Sequence, residues 1–178
     1  MADFKDRIVR AAKLDASLYE EVEADKGAMG QAVAVVILSS VAAGIGSIAQ
    51  GGIKGIVIGT IGALIGWVVW AYLVFIIGTK LLPVPETKAD VGQLLRTIGF
   101  SSSPGLIRVL GFIPGIGKII FFLSSIWMLV AMVIAVRQAL DYSSTLRALG
   151  VCVIGWVIQI LVLTLFLYMV GGELPKAS

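Results

Sequence analysis

The 178-residue chain contains no histidine and only one cysteine, Cys152. Metal sites built on imidazole or on paired thiolates therefore lack ligands, and no disulfide can form within the chain. A hydroxyl or thiol nucleophile would also lack its usual imidazole base. We therefore expect no metal, no other cofactor and no enzymatic activity, and we interpret Cys152 as a small apolar residue inside a helix.

Charged residues are scarce as well, at 14% of the chain against 58% hydrophobic residues, and the mean hydropathy is +1.01. This is more apolar surface than a soluble core of this length could bury. The net charge of +3 is scattered and forms no basic stripe with interleaved aromatics, so no nucleic-acid partner is expected. The composition predicts an all-α polytopic membrane protein surrounded by membrane lipids.

Four apolar runs are each long enough to cross a hydrocarbon layer of about 30 Å as a helix. We place these spans, the first, second, fourth and fifth of the chain, at about residues 30–50, 56–82, 116–136 and 146–170. The glycine-rich QGGIKG predicts a tight turn that makes the first two spans an antiparallel hairpin. LLPVPETKAD is predicted to be a loop, because Pro83 and Pro85 cannot continue a helix.

A third span is predicted in the unusual stretch RTIGFSSSPGLIRVLGFIPGIGK, residues 96–118. Pro104 removes a backbone donor and clashes with the preceding turn, so this span should be kinked or broken there. In hydrocarbon the freed carbonyl must be met by protein or water. The hydroxyls of Ser101, Ser102 and Ser103 are placed to supply part of that, and we expect the other four spans to surround the segment.

The predicted topology divides the chain into a cytoplasmic amphipathic N-terminal segment, a five-span domain and a short outer tail, at residues 1–28, 29–172 and 173–178. With five spans and a cytoplasmic N-terminus, ten Lys and Arg residues lie inside and four outside. This distribution satisfies the positive-inside bias and puts the C-terminus outside.

The N-terminal segment carries apolar residues at helical spacing with Lys5, Arg7, Arg10 and Lys13 on its other faces. One interpretation is a helix lying at the lipid headgroups, and the other is a solvated helix over the bundle. The acids that follow, in residues 15–25, would be repelled by an anionic surface, so only the front half is a candidate for membrane contact.

The charged residues near the membrane suggest one polar cluster. Arg96 and Arg108 are twelve residues apart, or roughly 18 Å along a helix. Each either snorkels to its own interface or is held inside by an acid or a wet cavity. Asp141 follows Arg137 by four residues on one helical face, so Arg96, Arg137, Asp141 and Tyr142 could form an inner cluster. This cluster is either a structural tie between spans three and four or a binding site.

A strip of small residues marks the second span. Gly51, Gly55 and Gly59 follow one another at steps of four, and Gly62 and Gly66 form another such pair. Small residues at this spacing allow close helix packing in membranes. We expect packing within the monomer in preference to dimerisation.

The chain resembles the bacterial branch of the YIP family, the Ypt/Rab-interacting-protein domain, from Phe4 to about Val170. Three stretches carry the resemblance: LDASLYEEVEADKGAMGQA before the first span, RTIGFSSSPGLIRVLG in the third, and AVRQALDYS after the fourth. The resemblance implies five spans with a cytoplasmic N-terminus, in the cytoplasmic (inner) membrane of a prokaryote.

Eukaryotic members of that family are implicated in vesicle trafficking, bind Rab GTPases and assemble with one another. They carry an Asp-Leu-Tyr-Gly-Pro stretch, whereas the closest match in this chain is Ser17-Leu18-Tyr19-Glu20. A GTPase partner is therefore doubtful.

These observations favour a non-enzymatic membrane adaptor or scaffold with a role in membrane organisation or trafficking. It would bind copies of itself or other membrane proteins through the N-terminal helix and the inner loops. The alternative is a small-solute or ion transporter or channel, because transporters form substrate sites from broken helices. Catalysis by paired intramembrane carboxylates is not expected, since no span core contains an acid.

Overall fold

The computed structural model describes residues 3–169, apart from the side chains of residues 163 and 166–169, and contains no strand among them. Their seven α-helices are α1 (Phe4–Ala12), α2 (Ala16–Ala24), α3 (Met29–Gly46), α4 (Ile48–Ile76), α5 (Val91–Phe100), α6 (Gly117–Ala139) and α7 (Thr145–Met169). A 3-10 turn (Lys26–Ala28) precedes α3, a π turn (Ile77–Leu81) extends α4, and a 3-10 helix (Ser103–Phe112) follows α5. The all-α prediction is confirmed for this part of the chain, whereas the tail 173–178 lies outside the described residues.

Four helical segments among the described residues are long and apolar enough to cross a membrane. They are Lys26–Gly46, Ile48–Leu81, Gly117–Ala139 and Thr145–Val162. These segments correspond to the first, second, fourth and fifth predicted spans. The third predicted span is not among them, so the count of five spans and the orientation stay predictions.

Helices α3 and α4 form the predicted hairpin, but its turn begins earlier than expected. Helix α3 already ends at Gly46, and Ser47 caps it. All of QGGIKG, residues 50–55, lies within α4, which is interrupted at Gly52, where φ is 56°. Glycine adopts this left-handed conformation without the steric cost that a Cβ would bring.

The segment after the loop lies alongside α3 and runs in the same direction. Its glycines approach α3 in order along the chain, with Gly99 against Ala32, Gly105 against Ser39 and Gly111 against Gly46. Helix α6 returns antiparallel on the other side, because its Phe121 approaches Gly111 and its Met128 approaches Gly105. This segment, which we call the third segment (α5 and the 3-10 helix), therefore lies between α3 and α6, with Ile107, Leu110 and Phe112 of its 3-10 helix exposed on the remaining side.

The interruption in this segment comes before Pro104. Helix α5 ends at Phe100, a turn follows at Ser101 and Ser102, and Pro104 lies in the first turn of the 3-10 helix. A proline is tolerated there because the first residues of a helix have no internal acceptor for their amide. The chain thus changes helix type instead of kinking an α-helix at the proline.

The N-terminal cap, which we define as α1 and α2, packs against one end of the bundle. Leu18, Tyr19 and Val22 are fully buried in a cluster that includes Phe100 of α5 and Ala135 of α6. For α2, this packing favours the interpretation of a helix over the bundle. The division of the chain at residue 28 and contact of α1 with lipid headgroups stay predictions.

A second apolar cluster fills the bundle where α4, α5, α6 and α7 meet. It contains Trp70, Ile77, Leu94 and Val136, together with the single cysteine, Cys152, which is fully buried. Cys152 thus serves as the small apolar residue that the sequence indicated.

Candidate functional site

Arg96 connects α5 to the N-terminal cap. It is only 5% exposed, and its Nε donates to the carbonyl oxygen of Val22 at 2.8 Å while a second guanidinium N–H donates to that of Glu23. These carbonyls belong to the last turn of α2, whose acceptors have no partner within the helix and carry the negative end of its dipole. Arg96 therefore caps α2 with its positive charge.

Arg137 and Tyr142 stabilise the turn between α6 and α7. The Arg137 guanidinium donates to the carbonyls of Tyr142 and Ser143 and to the hydroxyl of Thr145, at 3.1 to 3.3 Å. The Tyr142 hydroxyl donates to the carbonyl oxygen of Leu82 at 2.6 Å. These contacts tie the turn to the end of α4.

The predicted inner cluster is thus divided into two separate sets of contacts. Arg96 bonds to the N-terminal cap, and Arg137 bonds to the turn that contains Asp141 and Tyr142. Among residues 3–169, ion pairs involve only Arg7 and Arg10, so Arg137 and Asp141 do not pair. A binding role for the cluster stays a prediction.

A further charged network, within the N-terminal cap, was missed by the sequence analysis. Arg7 is 4% exposed and donates to Glu21 at 2.9 Å, to Asp25 at 2.8 Å and to Gln31 of α3 at 2.9 Å. Arg10 shares Glu21 at 2.6 Å. The signal available was the run of acids in residues 15–25, which complements the basic residues of α1 instead of only repelling lipid.

The pKa values of the three acids that accept hydrogen bonds from Arg7 or Arg10, namely Asp15, Glu21 and Asp25, lie below their ordinary range. Hydrogen bonds from Ser17 and Arg10 lower the pKa of Asp15 to about 2. The hydrogen bond from Arg10, together with that from Arg7, lowers the pKa of Glu21. The carboxylates of Asp15 and Glu21 are therefore charged at neutral pH and hold α1 against α2.

The pKa of Glu23 is shifted in the opposite direction. Burial, reinforced by the negative charge of Asp141, raises its pKa to about 7. Because the backbone carbonyl of Glu23 is one of the acceptors of Arg96, this titration takes place at the junction of the N-terminal cap with α5.

Two serines at the interruption, Ser101 and Ser103, donate to carbonyl oxygens at the end of α5. Ser101 donates to the carbonyl oxygen of Ile98, and Ser103 to that of Phe100, each at 2.7 Å. Ser102 instead lines a cavity inside the bundle. These hydroxyls thus add hydrogen bonds to the backbone where the helix changes type.

Arg108 lies in the 3-10 helix, beside Gly46 at the C-terminal end of α3 and away from α2. Its Nε and Nη2 donate to the hydroxyls of Ser124 and Ser125 at 2.8 and 2.9 Å, and its guanidinium carbon is 5.7 Å from the centre of the Phe121 ring. No described Asp or Glu forms an ion pair with it.

The Arg108 cavity, as we name it, has a volume of about 520 Å³ between α3, α4, α6, α7 and the 3-10 helix. The side chains of Ser39, Ser40, Trp70 and Gln159 line it together with Arg108. This volume is in the size range of small-molecule sites. The cavity contains no carboxylate in its described lining.

The family comparison decides the class of the protein. The model of the Yip1 domain matches residues 17–167, which is most of the 178-residue chain. The chain belongs to the Yip1 domain family. Together with the four apolar helices, this match identifies it as a multi-pass membrane protein. Comparison with curated proteins and with solved structures found no match.

The Yip1 domain match covers most of the polar residues described above. Arg96, Arg108, Arg137 and the serines of the interruption lie within it. Helix α1, with Arg7 and Arg10, lies before the matched residues.

The glycine strip of this Yip1 domain makes no close packing within the monomer. A Cβ added at Gly51, Gly55, Gly59, Gly62 or Gly66 would meet nothing within 4 Å. The expected packing inside one chain is therefore not what the structure shows, and packing between copies stays a prediction. Close approach occurs instead at glycines of α3 and the third segment, such as Gly46 and Gly99.

Proposed function

We propose that this Yip1 domain protein is a non-enzymatic membrane adaptor or scaffold. It presents one pre-organised face, the N-terminal cap, to another copy of itself or to another membrane protein. The observation that carries this proposal is the attachment of the cap to the bundle through the buried guanidinium groups of Arg7 and Arg96. A segment fixed in this way loses little conformational entropy when a partner binds.

Further contacts support a fixed cap. Trp127 of α6 donates its indole N–H to the carbonyl oxygen of Ala12 at 2.8 Å, and Gln138 donates to Glu20 at 2.6 Å. The outward face of the cap retains exposed charges, including Lys5 and Lys13, and the exposed apolar side chain of Val9. Mixed polar and apolar exposure of this kind suits a protein partner.

The proposal includes five spans, with α5 and the 3-10 helix as the third. Ten residues of α-helix rise about 15 Å and ten residues of 3-10 helix rise about 20 Å, enough for a hydrocarbon core of about 30 Å. The contacts of Gly99 with Ala32 and of Gly111 with Gly46 support a crossing, because they lie near opposite ends of α3.

The proposed orientation puts the cap in the cytoplasm and the C-terminus outside, in the inner membrane of a prokaryote. The support is the excess of Lys and Arg on the side of the cap, ten against four. The Yip1 family consists generally of non-enzymatic membrane proteins, which agrees with a scaffold. The family match offers no support for the transport alternative.

Site-specific photocrosslinking in native membranes tests this function. A photoreactive amino acid at Val9 reports on the cap, and one at Lys54 at the far end of the bundle is the matched control. We expect a discrete adduct with a second copy or with one membrane protein from Val9 only. Loosening the cap with Arg7→Met, which removes the contacts of α1 with Glu21, Asp25 and Gln31, should weaken the adduct.

Equal adducts from Val9 and Lys54, or none from Val9, would contradict the proposal. So would solute flux through the purified protein in liposomes, since flux is the property of the transport alternative.

A further inference from the structure

Arg108 places a positive charge inside the bundle without a carboxylate to balance it. Ser124 and Ser125 accept its hydrogen bonds, but both also donate their own hydroxyl protons to the carbonyl oxygen of Phe121, at 3.0 and 2.7 Å. These neutral serines orient the guanidinium and leave its charge intact. A charge held at membrane depth without a counter-ion is expensive and marks a functional site.

The Arg108 guanidinium also has N–H groups for which the described residues provide no acceptor. Of its five N–H groups, those on Nε and Nη2 serve the two serines, and no described residue accepts from Nη1. An anion in the Arg108 cavity could therefore bond to Arg108 without displacing the serines. Guanidinium groups bind phosphate and carboxylate oxygens through paired N–H groups.

A second polar group in the same cavity points independently to a ligand. Trp70 lines the cavity, is only 5% exposed, and its indole N–H has no hydrogen-bond partner among the described residues. Buried donors are nearly always satisfied in folded proteins, so an orphaned one calls for an explanation. A ligand that accepts a hydrogen bond at this depth would provide it.

The shape of the cavity suits an elongated molecule. Its lining on α3 extends from Val36 to Ser47, a rise of about 16 Å. On α4 the wall is built from Gly55, Gly59 and Gly66, which have open space where side chains would otherwise stand. Arg108 lies beside Gly46 near one end of this length.

The surfaces beside the cavity are apolar and exposed. On α4, Ile58, Ile61 and Ile65 are 69%, 54% and 61% exposed, and on α7 Val157 and Ile160 are 52% and 63% exposed. In a bilayer these side chains face acyl chains. A lipid can therefore reach the cavity from the side, whereas a free ion would have to cross from water.

We propose that the Arg108 cavity binds one anionic phospholipid, with its phosphate at Arg108, an acyl chain along the glycine face of α4, and an ester carbonyl oxygen as the acceptor for the indole N–H of Trp70. The charge of Arg108 selects the anionic headgroup, and the open glycine wall accommodates the chain. This binding goes beyond the scaffold function and does not depend on it, because no residue of the N-terminal cap lines the cavity.

Native mass spectrometry of the purified full-length protein, released from mixed micelles with phosphatidic acid or with phosphatidylcholine, tests the proposal. We expect wild-type protein to retain phosphatidic acid about tenfold better, in line with a charge-assisted hydrogen bond. Arg108→Gln should abolish the preference, and Arg108→Lys should keep part of it. Lys54→Gln removes one charge outside the cavity at the same end and should bind as wild type.

A second variant leaves the charge in place and fills the groove. Gly59→Leu adds a side chain where nothing lies within 4 Å, so the fold is expected to tolerate it. Retention of phosphatidic acid should fall about tenfold because the chain loses its path.

Three results would overturn the proposal. One is equal retention of both lipids by wild-type protein, and another is unchanged preference in Arg108→Gln with the fold intact. The third is thermal stabilisation by inorganic phosphate equal to that by phosphatidic acid, persisting in Gly59→Leu, which would assign the site to a free anion. None of these results bears on crosslinking at the cap.

Discussion

The two ends of the bundle use their charged residues in opposite ways. At the end with the N-terminal cap, Arg7 bonds to two carboxylates and an amide, and Arg96 bonds to the carbonyls that end α2. At the far end, Arg108 bonds only to neutral hydroxyls, and the glycine face of α4 stands open.

The difference separates polar groups that hold the fold from those left for a ligand. A guanidinium whose donors meet protein acceptors at close range stabilises its neighbours and has little to offer a ligand. Function at the cap must therefore come from its outer surface. At the far end, the unbalanced charge of Arg108 is itself the feature that selects a ligand.

The largest effect should separate the closed glycines from the open ones. A Cβ at Gly99 would lie 2.8 Å from the Cβ of Ala32, whereas a Cβ at Gly59 meets nothing within 4 Å. We expect Gly99→Leu to lower the free energy of unfolding by about 3 kcal/mol or more, because the third segment must move away from α3. Gly59→Leu should be neutral or stabilising by up to about 1 kcal/mol, as glycine is a poor helix former.

Thermal unfolding in detergent compares these glycine variants. Similar midpoints for both would mean that α3 and the third segment do not depend on close contact at Gly99.

The next effect concerns the ion pairs of the cap. Arg7→Met removes the partner of Glu21 and Asp25, whose side chains are 32% and 37% exposed while that of Arg7 is 5% exposed. We expect the cap to lose about 2 kcal/mol of stability, less than for a fully buried pair because water reaches both acids. Hydrogen exchange of α1 and α2 measures the loss, and exposed Lys5→Met is the matched control. Equal exchange in both variants would show that the pairs contribute nothing.

The sequence alone predicted the long apolar helices of the bundle. Runs of apolar residues must form helices to satisfy their backbone in a membrane, and α3, α4, α6 and α7 lie close to the predicted spans. Pro83 and Pro85 correctly predicted the loop before α5, where neither residue is helical.

Contacts between distant segments could not be predicted in the same way. Arg96 and Val22 are 74 residues apart, and no local pattern indicates that a guanidinium will cap a helix so far away. The glycines that pack were also missed, since Gly99, Gly105 and Gly111 are six residues apart and do not follow the spacing of the helix-packing motif. The strip that follows the motif, on α4, is open in the monomer.

A smaller effect is expected at the junction between the cap and α5. Arg96→Met removes the charge-assisted hydrogen bonds to the last carbonyls of α2, at a cost of about 1.5 kcal/mol. Faster hydrogen exchange should be confined to the C-terminal half of α2. Exposed Lys88→Met is the control, and the prediction fails if α2 exchanges equally in both variants.

The smallest effect is a pH dependence at the same junction. Because burial and the charge of Asp141 raise the pKa of Glu23 from its ordinary value of about 4.5 to about 7, the folded cap binds more protons than the unfolded chain between these values. Its stability should therefore fall as pH rises from about 4.5 to 7, opposite in sign to the contribution of Asp15, whose pKa is lowered.

Glu23→Gln should remove the fall and stabilise the cap by about 1 kcal/mol at pH 8, where wild-type Glu23 is charged beside Asp141. Hydrogen exchange of α2 at pH 5 and pH 8, corrected for the intrinsic rate, measures the change. If the wild-type cap were equally stable at both values, Glu23 would not be the group that makes this end of the bundle sensitive to pH.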